Sequence, residues 1–513
     1  MINFRKACLS ALALLAITAC SVNPVTGKRE ITLVGTQSEI RMGEQNYLPM
    51  RQSQGGEYDV DERLTEYVTG VGNRLAAVSD RELPYEFVVL NNSVPNAWAL
   101  PGGKIAINRG LLTELNSEAE LAAVLSHEIV HAAARHSARQ IERGMLLQGL
   151  VLATAVATSD SDYGNYAIGG ASIGAQLLTQ SYGRKAELES DLYGMRYMSR
   201  AGYDLQGAVS LQETFVRLSE GRSADWLSGL FASHPPSRER VETNKRTAAS
   251  LPSGGETAAE RFKAMMDKTM AAIPAYEAYD EGRIALAEND AVKAVVQAEK
   301  AIGLFPGEAN FYALRGDARL LDEHYDMAVT NYDSALRRRD SFFYYYLQRG
   351  RAQEKLGNDS AAARDLEKSL TLLPTAPAHN ALGDIASRRG DKTAAIEHYR
   401  KVADGKGELA DSARSSLVKL DLEDHPSTYI LTRCDADSSG KLLVSIKNGT
   451  ALAVDNVRVS IEYTDPSGGR KSLQKSLGGR LMPGQVSSVS TGLGPYQAGG
   501  TCPATVIAAR IAD

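Results

Sequence analysis

Small residues recur between positions 272 and 407 at a nearly constant spacing, and this repeat constrains the fold strongly. The glycine position holds Gly282, Gly316, Gly350 and Gly383, which are 34, 34 and 33 residues apart. An alanine position keeps the same spacing at Ala294, Ala328, Ala362 and Ala395. A period of this length indicates one supersecondary unit per repeat, and small residues at fixed places let paired helices pack closely. The spacing favours about four stacked helix–turn–helix units over an irregular helical domain.

These units resemble tetratricopeptide repeats. Pro306 and Pro374 lie two periods apart, and Asp340 occupies the intermediate position. The resemblance implies an all-α solenoid over residues 272–420. Such a solenoid has a concave groove, which we expect to bind protein partners such as an outer-membrane assembly machinery, or to deliver substrate.

Two changes of composition predict the domains on either side of the repeats. A chain of 513 residues should contain several domains. The turn-forming run at 252–255 predicts a break after an N-terminal domain that ends near residue 250. From Pro426 onward, short runs rich in β-branched residues, such as 442–446 and 457–461, alternate with turn segments. We therefore expect a small β-sandwich over residues 426–513.

The segment His127-Glu128-Ile129-Val130-His131 reads H-E-x-x-H inside a helical run. Residues four apart share one face of a helix, so the two imidazoles can bind one metal ion. Glu128 projects about 100° round the helix, near enough to polarise a water molecule at the metal. Ser117 is expected to cap this helix, with Glu120 closing a capping box. The alternative is a pair of histidines packed in a core.

A catalytic zinc site needs a third protein ligand, and a downstream acidic segment offers one. Glu187 and Asp191 are four apart and share a helix face, whereas Glu189 points away. We interpret Glu187 as the third ligand and Asp191 as a carboxylate that orients a ligand histidine. The alternative is an ordinary solvated acidic face. His136, nine residues after His127, is expected to make structural hydrogen bonds.

The combination of H-E-x-x-H, E-x-x-[AS]-D-x-x-G sixty residues later, and Ser233-His234-Pro235-Pro236 followed by Arg240 resembles one family of zinc metallopeptidases. These are the HtpX-like and CAAX-prenyl-endopeptidase gluzincins, peptidase family M48. The segment 96–103 is similar to the family's strand–turn segment, and 23–28 to the start of its bacterial lipoprotein members. The resemblance implies an α+β gluzincin-type domain, mainly helical with a small sheet, over residues 21–250 and one Zn²⁺ per chain.

The same resemblance implies roles for three further side chains. Glu128 would take a proton from the attacking water and return it to the leaving amine. His234 would stabilise the negative charge of the tetrahedral oxygen, with Arg240 supporting it. His234 could instead occupy the fourth metal position at rest, or be a loop histidine before a Pro-Pro turn.

Peptide substrates also need a docking surface. Asn96, Ala97, Trp98 and Ala99 read as an extended segment, followed by a turn at 101–103 and a strand at 104–108. An unpaired strand beside the metal would bind an extended peptide through main-chain hydrogen bonds, although a structural hairpin is the alternative. The apolar run at 145–157 is shorter than the ~20 residues of a membrane span. With residues 164–175 it forms either a buried helical hairpin or a lid over the cleft.

The first twenty residues carry a targeting signal. Arg5 and Lys6 precede an apolar run, and Ile17-Thr18-Ala19-Cys20 resembles a bacterial lipobox. Residues 1–20 are therefore interpreted as a lipoprotein signal peptide with its lipobox cysteine. Lipid on Cys20 would anchor the chain, and Ser21 is typical of sorting to the inner leaflet of the outer membrane. A plain secretory signal is the alternative.

Cysteine use and charge agree with export. Cys8 leaves with the signal and Cys20 takes lipid, so Cys434 and Cys502 remain and are predicted to form a disulfide. The formal net charge of −5 becomes −7 without Arg5 and Lys6, which argues against a nucleic-acid partner.

These features together predict a zinc-dependent metalloendopeptidase at the periplasmic face of the outer membrane. Its expected substrates are misfolded or stalled envelope proteins. The alternative is a chaperone-like assembly scaffold whose peptidase is mostly silent.

Overall fold

The computed structural model describes residues 20–148, 182–221, 234–464, 468–496 and 502–512. The chain divides into two compact units, Met1–Thr375 and Ala376–Asp513. The signal residues before Cys20 and most of the expected lid or helical hairpin, from 149 onward, lie outside the described residues. Within the described ranges, no helix has the length and apolarity needed to cross a membrane.

The N-terminal part of the first unit is an α+β domain with a small sheet. Its elements in chain order are β1 (Cys20–Val22), β2 (Arg29–Ile31), α1 (Thr36–Ser53), α2 (Glu62–Ala76), β3 (Glu86–Leu90), β4 (Ala97–Leu100), β5 (Lys104–Asn108), α3 (Arg109–Leu112), α4 (Glu118–Ala133), α5 (His136–Gln148), α6 (Arg184–Arg200), α7 (Gln206–Gly221), α8 (Arg238–Ser250) and α9 (Ala259–Ala271). One sheet has the order β3–β5–β4, in which β3 is parallel and β4 antiparallel to β5. The turn between β4 and β5 contains Gly102 and Gly103 at φ of 81° and 88°, conformations that favour glycine.

Helix α4 is the central element of this domain. Leu121, Leu125 and Ile129 are fully buried in the core that α4 shares with its neighbours. The Ser117 hydroxyl caps the helix by accepting a hydrogen bond from the Glu120 N–H at 3.2 Å. The expected capping box is incomplete, because the Glu120 carboxylate accepts from the Asn116 N–H at 2.7 Å. Both side chains therefore stabilise the helix start, but Glu120 accepts from the N–H of residue 116 where a capping box would use that of residue 117.

The expected domain break at 252–255 is followed by a helix that packs on the same core. Phe262 and Met266 of α9 are each only 2% exposed and belong to the same core as α4. The Arg261 guanidinium donates to both carboxylate oxygens of Glu118 at 2.6 Å. The Ala119 N–H donates to the Thr257 carbonyl at 3.1 Å. Helix α9 and the segment before it thus add to this core beyond the expected break.

The first three helix pairs of the solenoid belong to the same unit. They are α10 (Ile273–Ala287) with α11 (Ala291–Leu304), α12 (Ala309–Leu321) with α13 (Tyr325–Leu336), and α14 (Phe343–Lys355) with α15 (Asp359–Leu372). Loops between pairs contact the N-terminal domain. The Asn91 amide donates to Glu308 at 2.9 Å, while the Gln52 amide donates to the Ser341 carbonyl and accepts from the Phe343 N–H, both at 2.8 Å. The rim of the repeats is therefore docked on the peptidase domain.

The packing explains the repeated small residues. All four repeat alanines are fully buried. A Cβ added to Gly316 would lie 2.8 Å from Cε1 of Tyr332, and one added to Gly383 would lie 2.7 Å from the same atom of Tyr399. The paired helices therefore approach as closely as the spacing predicted, and the tetratricopeptide-like solenoid is confirmed.

The second unit begins with the fourth repeat and ends in β-structure. Its elements are α16 (Ala376–Arg388), α17 (Lys392–Ala403), α18 (Glu408–Asp421), α19 (Pro426–Tyr429), β6 (Ile430–Ala436), β7 (Leu442–Asn448), β8 (Val454–Thr464), β9 (Arg470–Ser476), β10 (Val486–Ser490) and β11 (Ala504–Ile511). The antiparallel sheets β10–β7–β6 and β11–β8–β9 share one hydrophobic core, as expected for a sandwich. Cys434 and Cys502 are joined in a disulfide.

We expect Gly316→Ala to lower the free energy of unfolding by about 1–3 kcal/mol, because the new methyl group overlaps the buried ring of Tyr332. Gly303→Ala is the matched control, since a Cβ at this helical glycine meets no atom within 4 Å. The control should stabilise the chain by roughly 0.5–1 kcal/mol. Urea midpoints measured by circular dichroism test the difference, and equal midpoints for the two variants would contradict the packing argument.

Candidate metal centre

Two helices and one loop bring the predicted metal ligands together. The last two turns of α4 carry His127 and His131, the first turn of α6 carries Glu187, and His234 precedes α8. One donor atom from each of these four side chains lies within 4.8 Å of the others. The i, i+4 spacing of the two histidines in α4 produces this geometry, since it stacks their rings on one face.

The donor atoms of His127, His131 and Glu187 face a common centre. The two Nε2 atoms are 3.0 Å apart. The Glu187 oxygens lie 3.5 Å from His127 Nε2 and 3.4 Å from His131 Nε2. Two imidazoles and one carboxylate with converging lone pairs make a donor set that suits zinc.

Asp191 and Arg240 contact this cluster on its outer side, away from the converging donor atoms. Asp191 Oδ1 lies 2.9 Å from His127 Nδ1, on the side of the ring away from the other donors. The Arg240 guanidinium donates twice to Asp191 at 2.7 Å and lies 2.9 Å from Glu187 Oε2. Arg240 was expected to support His234. Its guanidinium contacts these two carboxylates and also donates to the carbonyl of Pro235, next to His234, at 3.4 Å.

Burial and this guanidinium together determine the ionisation of the two acids. Burial opposes the charged form of Asp191, but Arg240 outweighs it and holds the pKa of Asp191 below its ordinary value. Burial likewise opposes the charge on Glu187, and His234 with His127 shifts its pKa well below the ordinary value. Both carboxylates are thus kept anionic, as a ligand and its orienting partner must be.

His131 has a different outer partner. Its Nδ1 lies 3.0 Å from Nδ1 of His136, and Nε2 of His136 lies 3.6 Å from Glu189. Lys28 donates to Glu189 at 2.9 Å. His136 thus contacts a ligand histidine, and Glu189 stands outside the donor cluster, as its position on the helix predicted.

Tyr182 was not anticipated from the sequence. Its ring centroid lies 3.9 Å from that of His131, and its hydroxyl is 2.7 Å from Ser137 Oγ. Tyr182 precedes α6 in the chain, and no motif spacing distinguished it from other tyrosines. It covers one side of the ligand ring.

Glu128 and His234 lie beside the three donors, and both are buried. Burial raises the pKa of Glu128 above its ordinary value, although His234 and His127 counteract part of the shift. Glu128 Oε1 is 3.5 Å from His234 Nε2, while Oε2 is buried without a hydrogen-bond partner among the described residues. His234 Nδ1 lies 3.3 Å from His127 Nε2 and 3.1 Å from Glu187. His234 therefore stands among the ligand atoms themselves.

The expected substrate strand lies at the edge of the sheet. β4 pairs with β5 from Ala97↔Ile107 to Leu100↔Lys104, and its other edge has no strand partner in the described sheet. Ala97 lines the cavity beside His127 and Glu128. Trp98 packs on the opposite face, edge-on to Tyr47 at 6.2 Å, and the Asn96 carbonyl accepts from the Asn108 N–H at 2.8 Å.

The charges of the site fit a divalent cation. Glu128, Glu187 and Asp191 are each at most 6% exposed, and Arg240 supplies one buried positive charge. Unpaired buried charge is costly, so a doubly charged ion between the donors would balance the ionised carboxylates. The unpartnered Oε2 of Glu128 is a second indication that a group belongs in this space.

We expect Asp191→Asn to weaken zinc binding about 10- to 100-fold, because His127 loses the anion that orients its ring. Zinc affinity is measured by competition with a chromogenic chelator. Asp404→Asn, the same change at an exposed residue, is the control and should leave affinity unaltered. Equal affinities for both variants would show that Asp191 has no part in holding the ligand.

Comparison with known proteins places this site in a family. The model of peptidase family M48 matches residues 62–248, and a tetratricopeptide-repeat model matches residues 376–404. A beta-barrel assembly-enhancing protease of Yersinia pestis is 33% identical over 234 residues, which cover 44% of this chain and 47% of the relative. The mitochondrial metalloendopeptidase OMA1 of Schizosaccharomyces pombe is 33% identical over 221 residues, covering 42% and 63%.

Other matches cover smaller parts. A putative beta-barrel assembly-enhancing protease of Vibrio cholerae is 32% identical over 203 residues, covering 37% of this chain and 40% of the relative. Among solved structures, the tetratricopeptide domain of Arabidopsis OM64 matches with 25% identity and a TM-score of 0.23, covering 23% of this chain and 98% of that domain.

The aligned part spans 40% to 63% of the length of these three relatives. The range that the family model matches includes His127, His131, Glu187 and Arg240. The structure brings the first three together in one buried donor cluster, with Arg240 bound to Glu187. Residues 62–248 of this chain therefore form a peptidase family M48 domain with a metallopeptidase-type centre.

Proposed function

We propose that the chain is a zinc-dependent metalloendopeptidase that hydrolyses peptide bonds of misfolded or stalled envelope proteins. The convergence of His127, His131 and Glu187 beside Glu128, whose Oε2 has no partner among the described residues, carries the proposal. The names of the bacterial relatives, which refer to β-barrel assembly, support an envelope role. The repeats support a role in recruiting protein clients or assembly machinery.

His127, His131 and Glu187 would hold one zinc ion per chain, and zinc there supplies the Lewis acidity that activates a water molecule and polarises the scissile carbonyl. Glu128 takes the proton of that water and passes it to the leaving amine. Burial raises the pKa of Glu128, which makes its carboxylate a stronger base toward that proton. Asp191 and Arg240 keep His127 and Glu187 in place throughout.

The edge of β4 would orient the substrate. Main-chain groups of Asn96, Ala97, Trp98 and Ala99 are proposed to pair with an extended peptide, a mode that needs little sequence selectivity. The buried side chains of β4 leave only its backbone edge for this contact. A protease of unfolded chains requires this tolerance of sequence.

We further propose that the chain works in the periplasm, anchored through lipid on Cys20 to the inner leaflet of the outer membrane. The lipobox-like sequence before Cys20 and the Ser that follows it support this location. Mass spectrometry of the membrane-extracted protein should find an acylated Cys20 at the N-terminus, and Cys20→Ser should release the chain from the membrane fraction.

The central test compares the wild type with Glu128→Gln. We expect the variant to keep its zinc and to lose hydrolysis of a misfolded outer-membrane protein by about 100- to 10,000-fold, because the general base is gone while the ligands remain. Glu187→Ala is the contrasting variant, and should lose zinc and activity together. Zinc content is measured by atomic absorption beside each degradation assay. Full activity of Glu128→Gln would refute the assigned mechanism.

His234 gives a second test. Its Nδ1 lies among the ligand atoms, so we propose that His234 caps the metal at rest and that His234→Ala raises the rate by freeing the fourth position. A fall in kcat of ~100-fold with normal zinc would instead assign it to the oxyanion. An unchanged rate would show that His234 acts only as a turn residue.

The rival function is a chaperone-like scaffold whose peptidase is mostly silent. The buried position of His234 among the ligand atoms favours this rival, because a capped metal would not activate water. Complementation of a deletion strain separates the two functions. Full rescue by Glu128→Gln under conditions that require client degradation would support the scaffold, whereas failure to rescue supports proteolysis.

A further inference from the structure

The hairpin of β1 and β2 turns its apolar side chains away from the protein. The strands pair as Ser21↔Glu30 and Val22↔Arg29. Because side chains alternate between the two faces of a strand, Ser21 and Glu30 share one face while Val22 shares the other with Arg29 and Ile31. One face is thus polar, and the other mostly apolar.

The polar face is the one that binds the peptidase domain. Glu30 accepts a hydrogen bond from the Arg139 guanidinium at 2.6 Å. Thr32, which continues the alternation, accepts one from Arg135 at 3.0 Å. The N–H of Leu33 donates to the Glu142 carboxylate at 2.9 Å. These contacts fix the register, so the hairpin cannot slip by one residue to bury its other face.

The apolar face is consequently open. Val22 and Ile31 are each 59% exposed and Leu33 is 48% exposed, with the exposed Arg29 beside them. A segment that only had to pack on its own domain would carry the opposite pattern. Neighbouring exposed apolar residues of this kind mark a surface that binds a partner.

The position of Cys20 identifies the partner. Cys20 is the first residue of β1 and is paired with Ile31. Under the proposed function Cys20 carries lipid, on which this inference rests, and its acyl chains must enter the bilayer directly beside the hairpin. We propose that Val22, Ile31 and Leu33 lie in the interfacial layer of that bilayer, with Arg29 placed to meet phosphate headgroups.

The contact would hold the metal centre close to the membrane. Asn23 is 1% exposed, and its amide donates to the carbonyl of Ala134, just after α4, at 2.9 Å. Three residues from Cys20 to Asn23 span at most ~11 Å, and three helical residues from Ala134 back to His131 span ~5 Å. The ligand His131 therefore lies within about 25 Å of the anchored residue, with no flexible linker between them.

The test measures bilayer binding without the acyl anchor. The chain lacking residues 1–19 and carrying Cys20→Ser is mixed with vesicles of phosphatidylethanolamine and phosphatidylglycerol, and binding is measured by co-flotation. We expect it to bind, and we expect the combined changes Val22→Ser, Ile31→Ser and Leu33→Ser to lower the partition coefficient at least about tenfold. Circular dichroism verifies that the variant is folded.

The matched control changes Ile284, Val292 and Val296 to Ser, three residues of the first repeat that are 57%, 75% and 58% exposed. This control variant should bind vesicles as strongly as the parent chain. The proposal is overturned if the parent chain does not bind vesicles, if both triple variants lose binding equally, or if sedimentation without vesicles shows a dimer that only the hairpin variant abolishes. Flotation needs neither zinc nor hydrolysis, so it fails or succeeds independently of the peptidase assay.

Discussion

The buried Arg240 guanidinium is the contact on which the metal centre depends. It is shared between Asp191 and Glu187, two carboxylates one helical turn apart on α6. Without it, both acids would be buried beside Glu128 with no fixed cation, and protonation would remove the ligand charge. Breaking a buried pair of this kind typically costs about 3–5 kcal/mol, because the remaining charge is left unpaired. Arg240 therefore acts on the zinc site and on the stability of the α6–α8 packing at once.

The sequence predicted the parts of the site that local geometry determines. The i, i+4 spacing of His127 and His131, and that of Glu187 and Asp191, place each pair on one face of its helix. A resemblance placed Arg240 near the metal, but its carboxylate partners Asp191 and Glu187 lie 49 and 53 residues away on another helix. The spacing of neighbouring residues in the sequence does not predict a contact between such distant positions. His136 shows the same limit, since its spacing indicated a hydrogen-bonding role without identifying His131 as the partner.

The turn-forming run at 252–255, which predicted a domain break, is followed by a helix of the same core. Gly254 and Gly255 adopt φ of 102° and 117°, which a flexible linker and a tight crossing would use equally. Here the crossing is tight, because a Cβ on Gly255 would lie 2.5 Å from the backbone carbon of Tyr203. The same residues that indicate a linker in a sequence thus allow the chain to pass against the turn between α6 and α7, and α9 then joins the core. The repeats, by contrast, were predictable because their small residues lie at helix contacts that recur with the period of the repeat.

The catalytic helix α4 is held at both ends by segments outside the metal-binding motif. At its start, Glu118 is bound by Arg261 of α9, and one residue separates α9 from the first helix of the solenoid. At its end, Asn23 of the N-terminal hairpin binds the Ala134 carbonyl, and Arg135 forms a buried ion pair with Glu39 at 2.7 Å. A helix of this length is a stiff element of about 24 Å, so a displacement at either end must move His127 and His131 with it. Helix α4 therefore connects the metal centre both to the hairpin and, through α9, to the first repeat. Removing either segment would remove a contact that holds this helix.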